Sequence, residues 1–213
     1  MNDLILNSLV IVGVLVLAGS IFFFVRQKQK RHDQLVTQFA RQNGWKIVHI
    51  RKPLEKGFTI TAREWTIEST MRSSGRESGP GSTDWEQKTT WFASKPGTTI
   101  LIGPRTTQVD MPPLSEKLTH RIFKTALGAD ADGLKEVHIG SSAFQEKFMV
   151  WAQYPERIDS LLTPELQYAL LSWDRKPPLI KRTSKGTSIE LDGIQLKNPE
   201  VLNALISLGE QLL

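Results

Sequence analysis

Residues 57–68, Gly-Phe-Thr-Ile-Thr-Ala-Arg-Glu-Trp-Thr-Ile-Glu, contain two short runs in which apolar and polar side chains alternate. The first run is Phe58–Thr61 and the second is Trp65–Glu68. Successive side chains of a strand point to opposite faces, so this alternation predicts two half-buried strands. Sheets with one solvated face are commonly antiparallel, and the two runs therefore favour an antiparallel sheet.

Further strands are predicted on both sides of these runs, in apolar stretches bounded by turn residues. They cover residues 85–93, 99–102, 137–139 and 147–152, and a hairpin of 178–182 with 187–191 around Lys185-Gly186. Between strands, residues 72–83 are rich in glycine and serine and include a proline. Few apolar groups there offset the entropy of ordering, and a long flexible loop is predicted over 72–83.

Helices are predicted where a capping residue precedes an apolar periodic segment. Ser115 caps a predicted helix that runs to Leu127, and Thr163-Pro164-Glu165 and Asn198-Pro199-Glu200 open two more. Each of the latter places proline at the first helical position and an acid in the first turn, as helix starts favour. Strands and helices are mixed without βαβ regularity. The predicted fold is α+β, with a mainly antiparallel sheet and packed helices over 45–213.

The N-terminal part carries a different signal. Residues 4–25 form an apolar run without a charged side chain. At about 1.5 Å per residue in a helix, this run is long enough to cross a hydrocarbon core of about 30 Å. A cleaved signal peptide would need a basic start and a small-residue cleavage site, and a buried core helix would show polar interruptions. A retained transmembrane helix over 4–25 is predicted.

Charge asymmetry around the run predicts its orientation. No lysine or arginine precedes it, whereas Arg26, Lys28, Lys30 and Arg31 follow at once. Basic residues stay on the cytoplasmic side. Residues 1–3 are therefore expected outside the plasma (inner) membrane, and a basic juxtamembrane helix over 26–44, with Gly44 as its C-cap, is expected to lead into a cytoplasmic domain.

Composition limits the chemistry. The chain has no cysteine, which excludes disulfides, thiol nucleophiles and thiolate metal sites. The four histidines, His32, His49, His120 and His138, show no metal-binding spacing, and no nucleotide-binding or hydrolase motif occurs. Asp130-Ala131-Asp132-Gly133 resembles part of a calcium loop, but lacks the remaining ligands and is interpreted as a turn. No cofactor, metal or catalytic residue is predicted.

Partner-binding residues are expected among exposed cations and one tryptophan. The net charge is +5, and basic residues concentrate in 26–63 and 175–185. The candidates for partner contact are Trp85, Arg105, Arg175, Lys176, Lys181, Arg182 and Lys185. The basic stretches lack interleaved aromatic residues, so nucleic acid is not the expected partner.

The favoured function is a membrane-anchored, non-enzymatic interaction module, such as an adaptor or accessory subunit of an inner-membrane complex, with a protein partner at the membrane or its cytoplasmic face. One alternative is a membrane-tethered enzyme whose site gathers scattered residues such as Asp110, His120 and His138. The other is binding of anionic lipid through residues 26–56 and 175–185.

Four segments carry a family resemblance: Gly44-Trp45, Leu101–Arg105, Leu161–Leu166 and Asn198-Pro199-Glu200. Together they resemble uncharacterised bacterial single-pass membrane proteins with a cytoplasmic domain of unknown function. The resemblance covers most of residues 40–213 and implies no catalytic residue.

Overall fold

A nine-stranded sheet carries the fold in the computed structural model of the chain. The structure describes residues 30–77, 83–105, 128–194, 196 and 198–213, together with residues 20, 23, 24, 27 and 28. The strands are β1 (Lys46–Lys52), β2 (Glu55–Thr61), β3 (Trp65–Glu77), β4 (Thr83–Ala93), β5 (Ile100–Pro104), β6 (Lys135–Val137), β7 (Phe148–Ala152), β8 (Leu179–Thr183) and β9 (Gly186–Asp192). The helices are α1 (30–42), α2 (Ser142–Lys147), α3 (Pro164–Leu171) and α4 (Pro199–Glu210).

Every strand pairing in this sheet is antiparallel, and the spatial order is β1-β2-β3-β4-β9-β8-β5-β7-β6. The first four strands form a meander, in which β2, β3 and β4 contain the predicted strands, whereas no strand was predicted at β1. The β8–β9 hairpin then inserts between β4 and β5, which places residues from distant parts of the chain side by side. The α+β class and the antiparallel sheet are therefore confirmed.

One face of the sheet is covered by helices. Alternate residues such as Ile60, Ile67, Trp91 and Ile189 are fully buried on that face. They share one apolar core with the buried side chains of α1, α2, α3 and α4. A smaller apolar cluster lies on the opposite face, around Leu101 of β5. The alternation of apolar and polar residues along the strands thus corresponds to two different faces of the sheet, one covered by helices and one more polar.

Helix α1 packs on this core instead of standing apart from the domain. Val36 and Ala40 are buried against the sheet, whereas Leu35 is exposed. The Thr37 hydroxyl lies 2.9 Å from Nε2 of His49 in β1, which holds helix and strand together. Gly44 adopts a φ of +72° after the helix, the left-handed conformation that favours glycine at a C-cap.

The predicted cap residues start two helices as expected. The Thr163 hydroxyl accepts a hydrogen bond from the Leu166 amide at the start of α3. The Asn198 side chain accepts one from the Glu200 amide at the start of α4. In both helices proline occupies the first turn, where its missing N–H costs nothing.

The prediction of a flexible loop over 72–83 is wrong for most of its length. β3 continues to Glu77 and β4 begins at Thr83, with Ser73 opposite Trp85 and Glu77 opposite Thr83. The pairing of β3 with β4 shifts in register between Ser73 and Glu77. Backbone pairing with a neighbouring strand stabilises the extended chain here, although residues 73–77 include no apolar side chain. Residues 78–82 lie outside the described part.

Two smaller predictions also need correction. The strand expected over 137–139 lies at Lys135–Val137, because it pairs with β7 through Lys135 opposite Ala152. The short helix α2 precedes β7 and was not predicted. The Ser141 hydroxyl caps it by accepting a hydrogen bond from the Phe144 amide.

Several predicted features fall outside the described residues. These are most of the predicted transmembrane helix over 4–25, the predicted helix over 115–127, and the residues Arg26, Asp110 and His120. Phe23 and Phe24 are described, and both side chains are exposed. Within the described ranges, no helix combines the length and apolar character that crossing a bilayer requires.

Candidate binding cleft at one end of the sheet

A large concave surface lies at the end of the sheet where β4 and β8 finish and β5 begins. It is an open cleft of about 1050 Å³. The loop after β4, the turn that follows β7 and the last residues of the chain form its walls. Its volume suits a peptide segment or a ligand of moderate size.

Backbone hydrogen bonds hold the cleft walls in place. The Gly97 amide donates to the Thr183 carbonyl at 3.0 Å, which fastens the β4–β5 loop to β8. The Gln153 amide donates to the Thr99 carbonyl at 3.0 Å, which fastens the chain after β7 to the same loop. The cleft is therefore built on ordered backbone.

Arg182 lines this cleft and is the most unusual side chain in it. It lies on the helix-covered face of β8, in register with Ile100 and Thr187. Its Nε atom is buried and makes no hydrogen bond, and no carboxylate of the described residues lies within ion-pair distance of the guanidinium. Arginine stays protonated and offers five donors, so burial of its Nε–H without a hydrogen-bond partner is costly.

A second orphaned polar atom lies beside Arg182. The hydroxyl of Thr187, the cross-strand neighbour, is fully buried and has no hydrogen-bond partner in the described part of the chain. Gly97 packs against the arginine from the loop, since a Cβ atom added there would lie 2.1 Å from Arg182 Nε. The absence of a side chain at position 97 is what leaves room for the guanidinium.

The rest of the cleft is polar and mixed in charge. Arg157 lies 5.4 Å from the centre of the Tyr154 ring, close enough for a cation–π contact. Asp130 accepts a hydrogen bond from the Ser184 hydroxyl at 3.3 Å, and Glu156 is exposed on the rim. An anionic group entering the cleft would meet the guanidinium of Arg182 and the cation of Arg157, with the carboxylates of Asp130 and Glu156 also on the lining.

A second groove, of about 550 Å³, crosses β3 and β4 on the face without helices. Its cations are already neutralised: Arg72 pairs with Glu68 at 3.5 Å and Lys88 pairs with Glu190 at 3.3 Å. Such paired charges offer less to an incoming ion than an unpaired one does. The cleft at Arg182 is therefore the better candidate site.

The structure separates the other candidates for partner contact. Arg105 donates to the Gln145 carbonyl at 2.7 Å and pairs with Glu136 at 3.3 Å, which joins β5 to α2 and β6. Lys181 donates to Glu190 at 2.8 Å on the face opposite Arg182. These two residues make internal contacts that stabilise the fold.

The remaining candidates lie in different places. Arg175 lies 3.9 Å from Asp174 and lines a hollow beside α4, and Lys176 is exposed next to it. Lys185 is exposed in the β8–β9 turn, near the cleft. The cations of 175–185 therefore do not form one continuous patch.

Trp85 lies at the opposite end of the strands from the cleft, with Lys56 5.6 Å above its ring. Of the basic residues expected near the membrane, Lys28, Lys30 and Arg31 are described and exposed. Gly97 and Thr187 were not singled out in the sequence, because neither bears a local signal for binding.

The described residues hold no group of three or more histidines and carboxylates arranged to bind a metal ion. His138, one member of the alternative scattered catalytic site, is exposed beside β6. No family model, curated protein or solved structure matches the chain.

Proposed function

We propose that this chain is a single-pass membrane-tethered interaction module, with its domain in the cytoplasm, that binds an acidic group of a partner protein at Arg182. The observation that carries the proposal is the guanidinium of Arg182, which lies half-buried in the cleft without an ion pair to any described residue. An incoming carboxylate would form charge-assisted hydrogen bonds that no described residue now supplies.

The position of the cleft favours a tethered arrangement. α1 follows the predicted anchor and begins beside the start of β2. β8 runs in the same direction as β2. Arg182 lies near the end of β8 and therefore at the opposite end of the sheet from the start of α1. The cleft therefore lies at the far end of the sheet from the predicted tether. A partner could reach it without meeting the bilayer, and tethering would raise its effective concentration.

The membrane anchor is supported by the sequence of residues 4–25 and by the exposed pair Phe23 and Phe24. Because the chain lacks cysteine, single-cysteine variants can report its orientation directly. In intact cells, an impermeant maleimide is expected to label Asn2→Cys but to label Ser184→Cys only after permeabilisation. Labelling of Ser184→Cys in intact cells would contradict the proposed orientation.

Partner binding is tested by photocrosslinking of the full-length protein in native membranes. A photoreactive residue replacing Thr98 in the cleft should crosslink a reproducible partner, whereas one replacing Thr90 on the helix-free face should not. Arg182→Gln is expected to reduce the crosslink about tenfold or more, because a charge-assisted hydrogen bond contributes about 1.5–3 kcal/mol.

Arg175→Gln is the matched control, since it removes an arginine outside the cleft. Arg182→Lys keeps the positive charge but loses the planar guanidinium, which can donate two parallel hydrogen bonds to a carboxylate. Its crosslinking yield should therefore be intermediate between the yields of wild type and Arg182→Gln. The same partner recovered in equal yield from wild type and Arg182→Gln would contradict the role of the cleft.

A further inference from the structure

The β1–β2 hairpin ends in an exposed, basic turn that also carries an apolar side chain. Leu54 is 67% exposed in this turn. Arg51, Lys52 and Lys56 flank it, and the side chains of Arg51 and Lys52 are 75% and 70% exposed. Together with Trp85, these four residues are called the basic tip.

Trp85 belongs to the basic tip through β3. The Ser73 amide donates to the Leu54 carbonyl at 3.0 Å, and Ser73 lies opposite Trp85 in the β3–β4 pairing. Trp85 is 38% exposed and is covered on one side by Lys56. Backbone hydrogen bonds thus hold the hairpin turn beside an exposed aromatic ring.

The basic tip lies at the same end of the domain as the start of α1. Thr37 of the helix contacts His49, and Asp33, one turn earlier, lies 3.8 Å from Arg51. Going backward along α1 therefore leads toward the hairpin turn. This arrangement brings the exposed Lys28, Lys30 and Arg31 to the end where the basic tip lies.

Positive charge predominates at this end. The six cations of the basic tip and the helix start, Arg51, Lys52, Lys56, Lys28, Lys30 and Arg31, are accompanied by the carboxylates of Asp33, Glu55 and Glu86, the last of which is next to Trp85 in β4. Glu55 is shared between Lys52 at 2.9 Å and Arg72 at 2.7 Å, so it neutralises only part of the local charge. An anionic surface would find excess positive charge next to an exposed leucine and an exposed tryptophan.

We infer that the basic tip docks on the anionic surface of the membrane to which the chain is tethered. This inference rests on the membrane tether of the proposed function but not on the cleft. The predicted span ends at residue 25, and five further residues can reach at most about 18 Å. The start of α1 is therefore held near the headgroups, where cations are attracted within a Debye length of about 8 Å.

The apolar members favour a bilayer over an acidic protein surface. Tryptophan is enriched at the membrane–water interface, and a leucine beside cations can enter the headgroup boundary. Docking at this end would also fix the orientation of the sheet, with the cleft of Arg182 directed away from the membrane. The five cations of 175–185, expected to share lipid binding, are not needed for this contact.

The test uses full-length protein in nanodiscs made of phosphatidylcholine alone or with about one third phosphatidylglycerol. An environment-sensitive dye is attached at Leu54→Cys, or at Ser184→Cys near the cleft as the control. With anionic lipid, the dye at position 54 should shift its emission to the blue and be quenched by spin-labelled lipids roughly fivefold more than in neutral discs. The dye at position 184 should respond to neither lipid.

Charge variants separate electrostatic docking from simple proximity. The triple variant Arg51→Gln/Lys52→Gln/Lys56→Gln is expected to abolish the response of the dye at position 54 to anionic lipid. In the protein without these three substitutions, raised salt should weaken that response. The matched control, Arg41→Gln/Lys46→Gln/Lys95→Gln, removes three exposed cations elsewhere and should retain it. Lys52→Cys provides a second reporter position if Leu54→Cys does not fold.

Two results would overturn the inference. A dye at positions 54 and 52 that stays accessible to iodide and insensitive to lipid charge would show that the basic tip does not dock. Failure of the full-length protein to enter nanodiscs would contradict the tether and this inference together. Neither result depends on the photocrosslinking at Arg182, so the two proposals can fail separately.

Discussion

The hydroxyl oxygens of Ser69 and Thr89 lie 2.8 Å apart, fully buried between β3 and β4. Thr89 donates its proton to the Ile194 carbonyl at 2.8 Å, so Ser69 must donate to Thr89. Ser69 in turn accepts from the Leu196 amide at 3.2 Å. This chain of hydrogen bonds ties the segment between β9 and α4 to the centre of the sheet.

Thr89→Val should destabilise the domain by about 1–3 kcal/mol, because the Ile194 carbonyl loses its donor and the Ser69 hydroxyl loses its acceptor in a buried site. The measurement is the free energy of unfolding in urea, followed by tryptophan fluorescence of the detergent-solubilised full-length protein. Thr90→Val, the next residue on the opposite face, should change it little. If Thr90→Val lowered the free energy of unfolding as much as Thr89→Val, the stabilising role of the buried Thr89 hydrogen bonds would be contradicted.

Gly209→Ala should destabilise the packing of α4 on the sheet. A Cβ atom at this position would lie 2.2 Å from Cε2 of Trp91, whose indole is fully buried. Overpacking of this kind costs about 1–3 kcal/mol, more than the helix propensity that alanine adds. Asn203→Ala, at an exposed position of the same helix, is the control and should not lower the urea midpoint.

Glu190→Gln should weaken the dependence of stability on acid pH. Burial would raise the pKa of Glu190, but the hydrogen bond and charge of Lys181, together with the charge of Lys88, outweigh it and hold the pKa below its ordinary value of 4.5. A lowered folded-state pKa stabilises the fold above the unfolded pKa, and this stabilisation is lost as pH falls through the folded value.

The unfolding free energies of wild type and Glu190→Gln should therefore differ by a constant amount at neutral pH. The difference should shrink below about pH 4.5, as the carboxylate of the wild type becomes protonated. Glu210→Gln, at an exposed position of α4, is the control and should leave the pH profile unchanged. A difference that persists undiminished in acid would show that the charge of Glu190 does not stabilise the fold.

Gly97→Ala should reduce partner crosslinking from the cleft with little effect on stability. The added Cβ would displace the end of the Arg182 side chain, which is flexible, and would not strike backbone. The guanidinium would keep its charge but move from its position. The photocrosslinking yield from position 98 should fall. The urea midpoint of Gly97→Ala should change by less than the midpoint of Gly209→Ala does. Equal crosslinking yields from wild type and Gly97→Ala would indicate that partner binding does not depend on the position of the Arg182 guanidinium.

Local sequence was sufficient to predict three of the four strands of the meander, β2, β3 and β4, and the starts of α3 and α4, but it did not predict β1. Alternation in Phe58–Thr61 and Trp65–Glu68 depends only on the geometry of a strand with one buried face. Capping by Thr163 and Asn198 depends only on nearby amides. The ribbon formed by Ser73–Glu77 was missed, because its extended conformation depends on pairing with another strand and not on its own side chains.

The candidate site depends on contacts between distant residues. Lys181 and Arg182 are adjacent cations, yet the first is paired with Glu190 and the second lines the cleft without an ion pair to any residue that the structure describes. Their difference arises because neighbouring residues of a strand face opposite sides, and because the β8–β9 hairpin inserts between β4 and β5. Sequence alone could name both cations, but only the tertiary structure decided which one has an unpaired charge, since burial and ion pairing are set by the elements that pack around it.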